Sequence, residues 1–268
     1  MKIISCIKQV YDLDIVLEND WVVDETTNKI NIDYANLIMN PYDETALELM
    51  LRITDSSKDI KTEVITIGNK KSEAILRKAL AIGVDDATRI EIDHELINNP
   101  FNIAKLLHHK IKDDKEVKLV LCGRQSDIFN HGQTGQILAE KLGWSCFTNV
   151  FNITYKDSYF NVSRTTSSGI EHIKTNNPLV VTVTQSPNMF LRMATLMNTM
   201  KAKQKPINFI SKELSEISED TNEKFYNLEK LTVEKSKKNC IYLNENKNKS
   251  INLQLSDLIN NSLNKGVK

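Results

Sequence analysis

Glycine is scarce in this chain, at 8 of 268 residues, where an average protein carries about 7%. Neither G-x-G-x-x-G nor G-x-x-x-x-G-K-[ST] occurs, so the dinucleotide fingerprint and the Walker phosphate loop are both absent. Cysteine is sparse as well: Cys6, Cys122, Cys146 and Cys240 form no C-x-x-C pair. That argues against a zinc knuckle or a thioredoxin-type dithiol and fits a reducing cytosol. No apolar run approaches the roughly 20 residues that span a bilayer. The opening run Met1 to Ile7 meets Lys8 too early for a signal h-region; it reads as a buried first strand. Excess charge is missing too, since 35 Lys and Arg balance 35 Asp and Glu. No global field draws the molecule onto nucleic acid or acidic lipid. The expectation is a soluble, cytoplasmic protein.

What is present is an alternating pattern. At roughly 150 residues per domain, the length implies one or two domains. Short β-rich runs at Ile3 to Ile7, Glu63 to Ile67, Ala87 to Ile92 and Val117 to Leu121 are separated by helix-period segments. The first helix starts at Asn40, a capping residue, with Pro41 at the first helical position and Asp43 and Glu44 where the helix dipole favours negative charge. A second helix covers about Lys71 to Ile82 and stops at Gly83, and a third runs from about Asn102 to Lys112. Strands joined by crossover helices pair in parallel, which predicts a doubly wound α/β sheet. After Trp144 come shorter runs, at Thr148 to Tyr155, Tyr159 to Arg164 and Gly169 to Lys174, and then the apolar Pro178 to Val183. They predict an antiparallel meander that returns to a central strand. From Ser211 to Ser250 the chain is too polar to bury much surface and reads as an arm. A final stripe of Leu255, Leu258, Ile259 and Leu263, stopped by Gly266, predicts an amphipathic helix. That helix needs a surface to pack on, either this chain's own body or a partner subunit.

Few constellations carry chemistry. His108 and His109 read as a solvated helix face, His94, His131 and His172 lack ligand spacing, and no G-x-S-x-G elbow exists. Asp12 with Asp14, and Asp85 with Asp86, read as solvated turn acids. The better candidate is the loop from Gly123 to Gly132, which leads into Gln133-Thr134-Gly135-Gln136. A small-residue loop between a strand and a helix presents free N–H groups to an anion. Open α/β sheets bind ligands at such carboxyl strand ends. The alternative is that the glycines only punctuate the loop. A second segment, Arg192 to Lys205, sets Met193, Leu196, Met197 and Met200 beside a lysine run. It reads either as a helix with methionines facing the core or as an exposed element that docks a protein partner.

Four motifs in order carry a resemblance: Cys6-Ile7-Lys8-Gln9-Val10-Tyr11-Asp12, Met39-Asn40-Pro41-Tyr42-Asp43-Glu44-Thr45-Ala46, Gly123-Arg124-Gln125 leading to Gln133-Thr134-Gly135-Gln136, and the Arg192 to Lys205 segment. To about residue 210 the chain resembles the β subunit of electron transfer flavoproteins. The resemblance implies an adenine-nucleotide-binding (Rossmann-like) α/β domain at 1–210 and a C-terminal arm and helix at 211–268 that pack on an α subunit. It implies a heterodimer in which FAD is held mainly by the α subunit. Electrons then pass between a flavin dehydrogenase, such as an acyl-CoA dehydrogenase, and another redox partner. The β subunit would hold AMP, or in bifurcating members a second FAD, against Cys6, Asn40, Asp43, Ile67, Gly123, Ser126, Gly132, Gln133 and Thr134. Leu196 matches the leucine by which the family docks its dehydrogenase. Such a chain is an electron-carrier subunit with no catalytic residues and no metal.

Three departures qualify the resemblance. Many members place an aspartate straight after an Ala-Ile pair, whereas this chain reads Ser126-Asp127-Ile128. Bifurcating members often read Gln-Val-Gly-Pro where this chain has Gln133-Thr134-Gly135-Gln136, which leans towards AMP. Leu13 stands where some members present a tyrosine to the flavin. The competing readings are a stand-alone adenine-nucleotide-binding protein, which leaves the arm and last helix unexplained, a bifurcating oxidoreductase subunit, and a scaffold subunit without nucleotide.

Overall fold

Successive residues of a strand point to opposite faces, so a strand that is apolar throughout must be covered on both. The computed structural model describes residues 1–26, 29–57, 59–92, 97, 99–126, 130–186, 189–210, 230–233, 240, 242–243 and 250–265. Readings that fall on His94, on Asp127 and Ile128, on most of 211–249 and on Gly266 lie outside the described residues. Strand β1 (Lys2–Cys6) is followed by short strands β2 (Gln9–Tyr11), β3 (Val23–Asp24), β4 (Lys29–Ile30) and β5 (Leu37–Met39), then α1 (Pro41–Ser56). Alternation follows: β6 (Lys61–Ile67), α2 (Glu73–Ala81), β7 (Asp86–Ile90), α3 (Pro100–Ile111), β8 (Val117–Gly123) and α4 (Thr134–Leu142). The chain continues through β9 (Ser145–Lys156), β10 (Tyr159–Thr166), β11 (Gly169–Thr175), β12 (Leu179–Val183), α5 (Leu196–Gln204), β13 (Asn208–Ile210) and α6 (Ile251–Lys265).

Nine strands form one sheet in the order β11-β10-β9-β12-β8-β1-β6-β7-β13. Pairing is parallel from β9 to β13 across the sheet and antiparallel only in the β9-β10-β11 meander. This is the doubly wound α/β sheet with a small antiparallel extension that the strand and helix pattern predicts. The two faces carry separate cores. Ile3, Val64, Leu119, Leu121 and Val181 pack with Leu47 and Met50 of α1 and Leu76 of α2. Ile4, Ile65, Val120, Cys122 and Val180 pack with Leu107 of α3 and Leu138 of α4. Fully buried side chains of this size contribute roughly 1.5–3 kcal/mol each. The meander turns at Asp157 and Ser158, both with positive φ, a pairing that matches the right-handed twist of a two-residue hairpin.

From β1 the chain steps through β6 to β7, then crosses to β8 on the other side of β1. The direction of winding therefore reverses between β1 and β8, and a crevice opens beyond the carboxyl ends of those two paired strands. The excursion through residues 9–39 returns to its origin: β2 pairs with β5, and Asn40 N–H donates to the Lys8 carbonyl at 2.9 Å. This places the start of α1 beside the end of β1. The sequence pattern does not predict this excursion or β13, because strands of two or three residues carry no measurable alternation.

The chain forms two units, Met1–Glu229 and Lys230–Lys268. The first holds the sheet, and the second holds α6, which begins at Ile251, four residues before the stripe predicted from Leu255. The domain boundary expected at residue 210 remains a proposal. Among the described residues, no helix is long and apolar enough to cross a membrane.

One local expectation is corrected and one open alternative is decided. Asn40 opens α1, but its side chain makes no capping bond; it turns instead towards β8. In α5 only Ala202 is buried, while Met193, Met197 and Met200 are exposed, so the methionines do not face the core. The helix packs beside α2, with Ala202 joining the core.

Candidate functional site

At the switch point the ends of β1, β6 and β8 and the starts of α1 and α4 form an open crevice with about 130 Å³ of enclosed space. Cys6 ends β1, Ile67 ends β6 and Gly123 ends β8; Asn40 and Asp43 come from the start of α1; Ser126, Gly132, Gln133 and Thr134 come from the loop into α4. All nine residues named from the sequence line this one crevice. Leu196 does not; it stands on α5, 79% exposed.

Asp43 organises the polar end. Its two carboxylate oxygens accept from Lys8 N–H at 2.8 Å and Gly123 N–H at 2.9 Å, which ties α1 to the ends of β1 and β8. Burial pushes its carboxyl up to about 7, against the opposing pull of the Lys8 N–H, the Asn40 amide, the Gly123 N–H and the Lys8 charge. Burial also lowers the Lys8 ammonium, and the Asp43 charge opposes that. The next residues of the loop are laced to the same helix start. Asn40 Nδ2 donates to the Gln125 carbonyl at 2.9 Å and Gln125 Nε2 to Tyr42 Oη at 3.0 Å. Gly123 is required here: a Cβ on it would lie 2.2 Å from Asp43 Oδ1 and 2.8 Å from Tyr42 Cβ.

Past the loop, Gly132 adopts φ +61°, and Gln133 precedes α4 without a side-chain cap. The helix starts at Thr134, so the N–H groups left without intrahelical partners are those of Thr134, Gly135 and Gln136. Gly135 has a packing role, since its Cβ would fall 2.7 Å from Thr182 Cγ2 on β12. Of the Gly132 and Gly135 pair, only Gly132 lines the crevice.

The crevice also contains residues that the motifs did not single out. Ile65, Pro100, Ile103 and Leu107 join Ile67 in an apolar wall from β6 and α3, and Arg124 and His131 stand at the polar end. The signal was present in the apolar stripe of α3, but a stripe alone does not say which part of it faces a cavity. Cys122 lies in register with Cys6 across β1 and β8. Its thiol is held well above the usual range by the hydrogen bond with Cys6 and by burial. Asn40 Oδ1 is buried without a hydrogen-bond partner among the described residues, a group left for something in the crevice to satisfy. An apolar wall, a buried free acceptor and a cationic, N–H-rich end together suit a nucleotide: a flat base on one side and phosphate on the other.

Elsewhere, Asp85 is an exposed turn acid, as expected, and it also accepts from Thr62 N–H and Oγ1 at 2.9 and 2.8 Å at the start of β6. Among the described residues, no group of three or more His, Cys, Asp or Glu is placed to hold a metal ion.

A doubly covered parallel sheet with such a crevice at its switch point defines an α/β protein of nucleotide-binding architecture. Residues 27–214 match the electron transfer flavoprotein domain model. The chain is 34% identical over 198 residues to electron transfer flavoprotein subunit beta of Bacillus subtilis, across 74% of this chain and 76% of that one. It is 31% identical over 207 residues to the subunit beta of Bradyrhizobium diazoefficiens, across 77% and 80%. To the mitochondrial subunit beta of Arabidopsis thaliana it is 32% identical over 211 residues, again across 77% and 80%. The chain belongs to the electron transfer flavoprotein β-subunit family, whose members are electron carriers associated with flavin.

Proposed function

We propose that this chain pairs with an electron transfer flavoprotein α subunit and binds AMP in the crevice between β1 and β8. The heterodimer passes electrons from a flavin dehydrogenase of the acyl-CoA dehydrogenase type to another redox partner. The observation that carries this reading is the convergence of four separate sequence segments on one crevice at the switch point of the sheet. The apolar wall of Ile65, Ile67, Ile103 and Leu107 would take the base. Asn40 Oδ1, buried and unpartnered among the described residues, would take a hydrogen from base or ribose. The Thr134 end of α4 and Arg124 would take the phosphate. FAD, held mainly by the α subunit, supplies one-electron chemistry when bound. This chain contributes binding, orientation and partner docking and breaks no bond of its own.

The Gln133-Thr134-Gly135-Gln136 motif supports AMP over a second FAD. The test is to purify the chain with its α partner, denature the complex and quantify the released molecules. One FAD and one AMP per heterodimer is the expected result. Two FAD would turn the reading to a bifurcating oxidoreductase subunit, and FAD without a second nucleotide would leave a scaffold. In the same complex Leu196→Ala is expected to slow reduction by the dehydrogenase without releasing nucleotide. The cytoplasmic location belongs to this proposal too, with relatives named as mitochondrial in plants.

A further inference from the structure

The segment that would dock the dehydrogenase poses a stability problem of its own. Phe190, Met193, Leu196, Met197 and Met200 are 62–94% exposed, and α5 buries only Ala202. A nine-residue helix does not hold itself in water, and this one has almost no apolar face against the body. Thr195 caps it, accepting from Asn198 N–H at 3.2 Å, and Leu191 and Ala194 pack partly on the core. Two guanidinium groups, one at each end, add to these restraints, and beyond the helix β13 pairs with β7.

Arg192 donates from its backbone N–H and Nε to Glu48 Oε2, each at 3.1 Å, and from Nη2 to Glu48 Oε1 at 3.1 Å. It also reaches Asp55 from Nη1 at 3.2 Å and Nη2 at 2.8 Å. Both carboxylates lie on α1, and Glu48 is nearly buried. At the far end, Arg77 of α2 donates through Nη1 to the carbonyls of Ala202, at 2.7 Å, and Lys205. Lys205 Nζ in turn donates to the Val84 carbonyl at 3.1 Å. Bidentate charge-assisted bonds fix geometry as well as adding energy.

We propose that Arg192, seconded by Arg77, is the positioning residue that keeps the Met193 to Met200 segment ordered with its apolar side chains turned outward. The partner then meets a preformed element and does not bear the cost of ordering it. This rests on the docking role proposed for Leu196, but the pinning itself can be read separately. Loss of Arg192 leaves Glu48 paired with Arg52 at 3.2 Å, so the core keeps a satisfied charge.

The experiment uses the FAD-loaded heterodimer with Arg192→Gln, Arg192→Lys, Asp55→Asn, Leu196→Ala and a double variant that combines Arg192→Gln with Leu196→Ala. Amide hydrogen exchange over 193–201 is expected to quicken on the order of tenfold in Arg192→Gln while β1 and α1 stay protected. Asp55→Asn and Arg192→Lys should show smaller shifts in the same direction. With a substrate-reduced acyl-CoA dehydrogenase as probe, half-saturation by the carrier should rise on the order of tenfold with kcat unchanged. The double variant should be no weaker than Leu196→Ala, because both lesions act on one contact. Unchanged exchange in Arg192→Gln, loss of protection spread across β1 and α1, or multiplicative effects in the double variant would each overturn the proposal. If Leu196→Ala alone leaves half-saturation unchanged, the docking role fails and the exchange result alone decides the pin.

Discussion

Replacing Gly123 by alanine tests how the crevice is held together. The new Cβ would lie 2.2 Å from Asp43 Oδ1, 2.8 Å from Tyr42 Cβ and 3.1 Å from Asp43 N. Asp43 can rotate, but it then gives up the N–H groups of Gly123 and Lys8, and the Tyr42 and backbone contacts still require α1 to move. A charge-assisted bond contributes roughly 1.5–3 kcal/mol, and forced overpacking adds about 1–3 kcal/mol. The sum, roughly 2.5–6 kcal/mol, corresponds to a fall in melting temperature of about 5–24 °C for a unit of this size. Gly135→Ala is the control. Its nearest obstacle is the Thr182 methyl at 2.7 Å, a side chain that can shift, and alanine recovers about 1 kcal/mol of helix propensity. Thermal melts of both variants in the heterodimer, with nucleotide content measured alongside, decide the matter. If Gly123→Ala melts within about 3 °C of the wild type, or Gly135→Ala falls further, the account of Asp43 as the tie is wrong.

The raised carboxyl of Asp43, about 7 against 3.8, makes the folded state bind a proton that the unfolded chain has released. Stability contributed by this group is therefore full below the ordinary aspartate range and is lost as pH rises to about 7. The loss is at most about 4 kcal/mol. Urea melts of the wild type relative to Asp43→Asn should show that gap narrowing from pH 4 to pH 8, and a flat or widening gap rejects the assignment. Thiol labelling should separate the cysteines, with exposed Cys240 alkylated first and buried Cys122 last in the native protein. Mass spectrometry that finds Cys122 labelled as fast as Cys240 would contradict its burial. Lys201 and Lys203 are exposed beside the docking residues, so the association rate with an acidic dehydrogenase surface should fall as salt rises; a salt-independent rate removes them from steering.

Most of the sheet was legible because its strands are buried on both faces and its helices carry stripes, so period alone separates them. The crevice was legible in the residues themselves only at the loop from Gly123 to Gly132, where glycines follow a strand's carboxyl end; Cys6, Asn40, Asp43 and Ile67 were reached through the family resemblance. Its apolar wall was not, since Ile103 and Leu107 look like any core stripe until the topology puts a cavity in front of them. The excursion over residues 9–39 escaped because strands this short are set by their partners, as β2 is by β5. Pattern alone could not place the methionines of 193–200, because exposure there is decided by Arg192 and Arg77, whose partners are distant in sequence.

The acids of α1 show how one helix serves both ends of the molecule. From sequence, Asp43 and Glu44 look like dipole-matching residues of a first turn. In the fold each acid of this helix is sorted by its angle around the axis. Glu48 and Asp55 are seven residues apart, two turns, and so share one side; both meet Arg192. Glu44, one turn before Glu48, reaches Lys78 of α2 at 2.6 Å. Asp43 is offset from Glu48 by roughly 140° and faces the strand ends. Between Asp43 and Asp55 the helix rises about 18 Å. The part that shapes the crevice and the part that anchors the docking segment are thus different faces of one rigid rod, packed along its length by Leu47, Met50 and Ile53. All four acids of α1 are engaged in holding neighbouring elements in place.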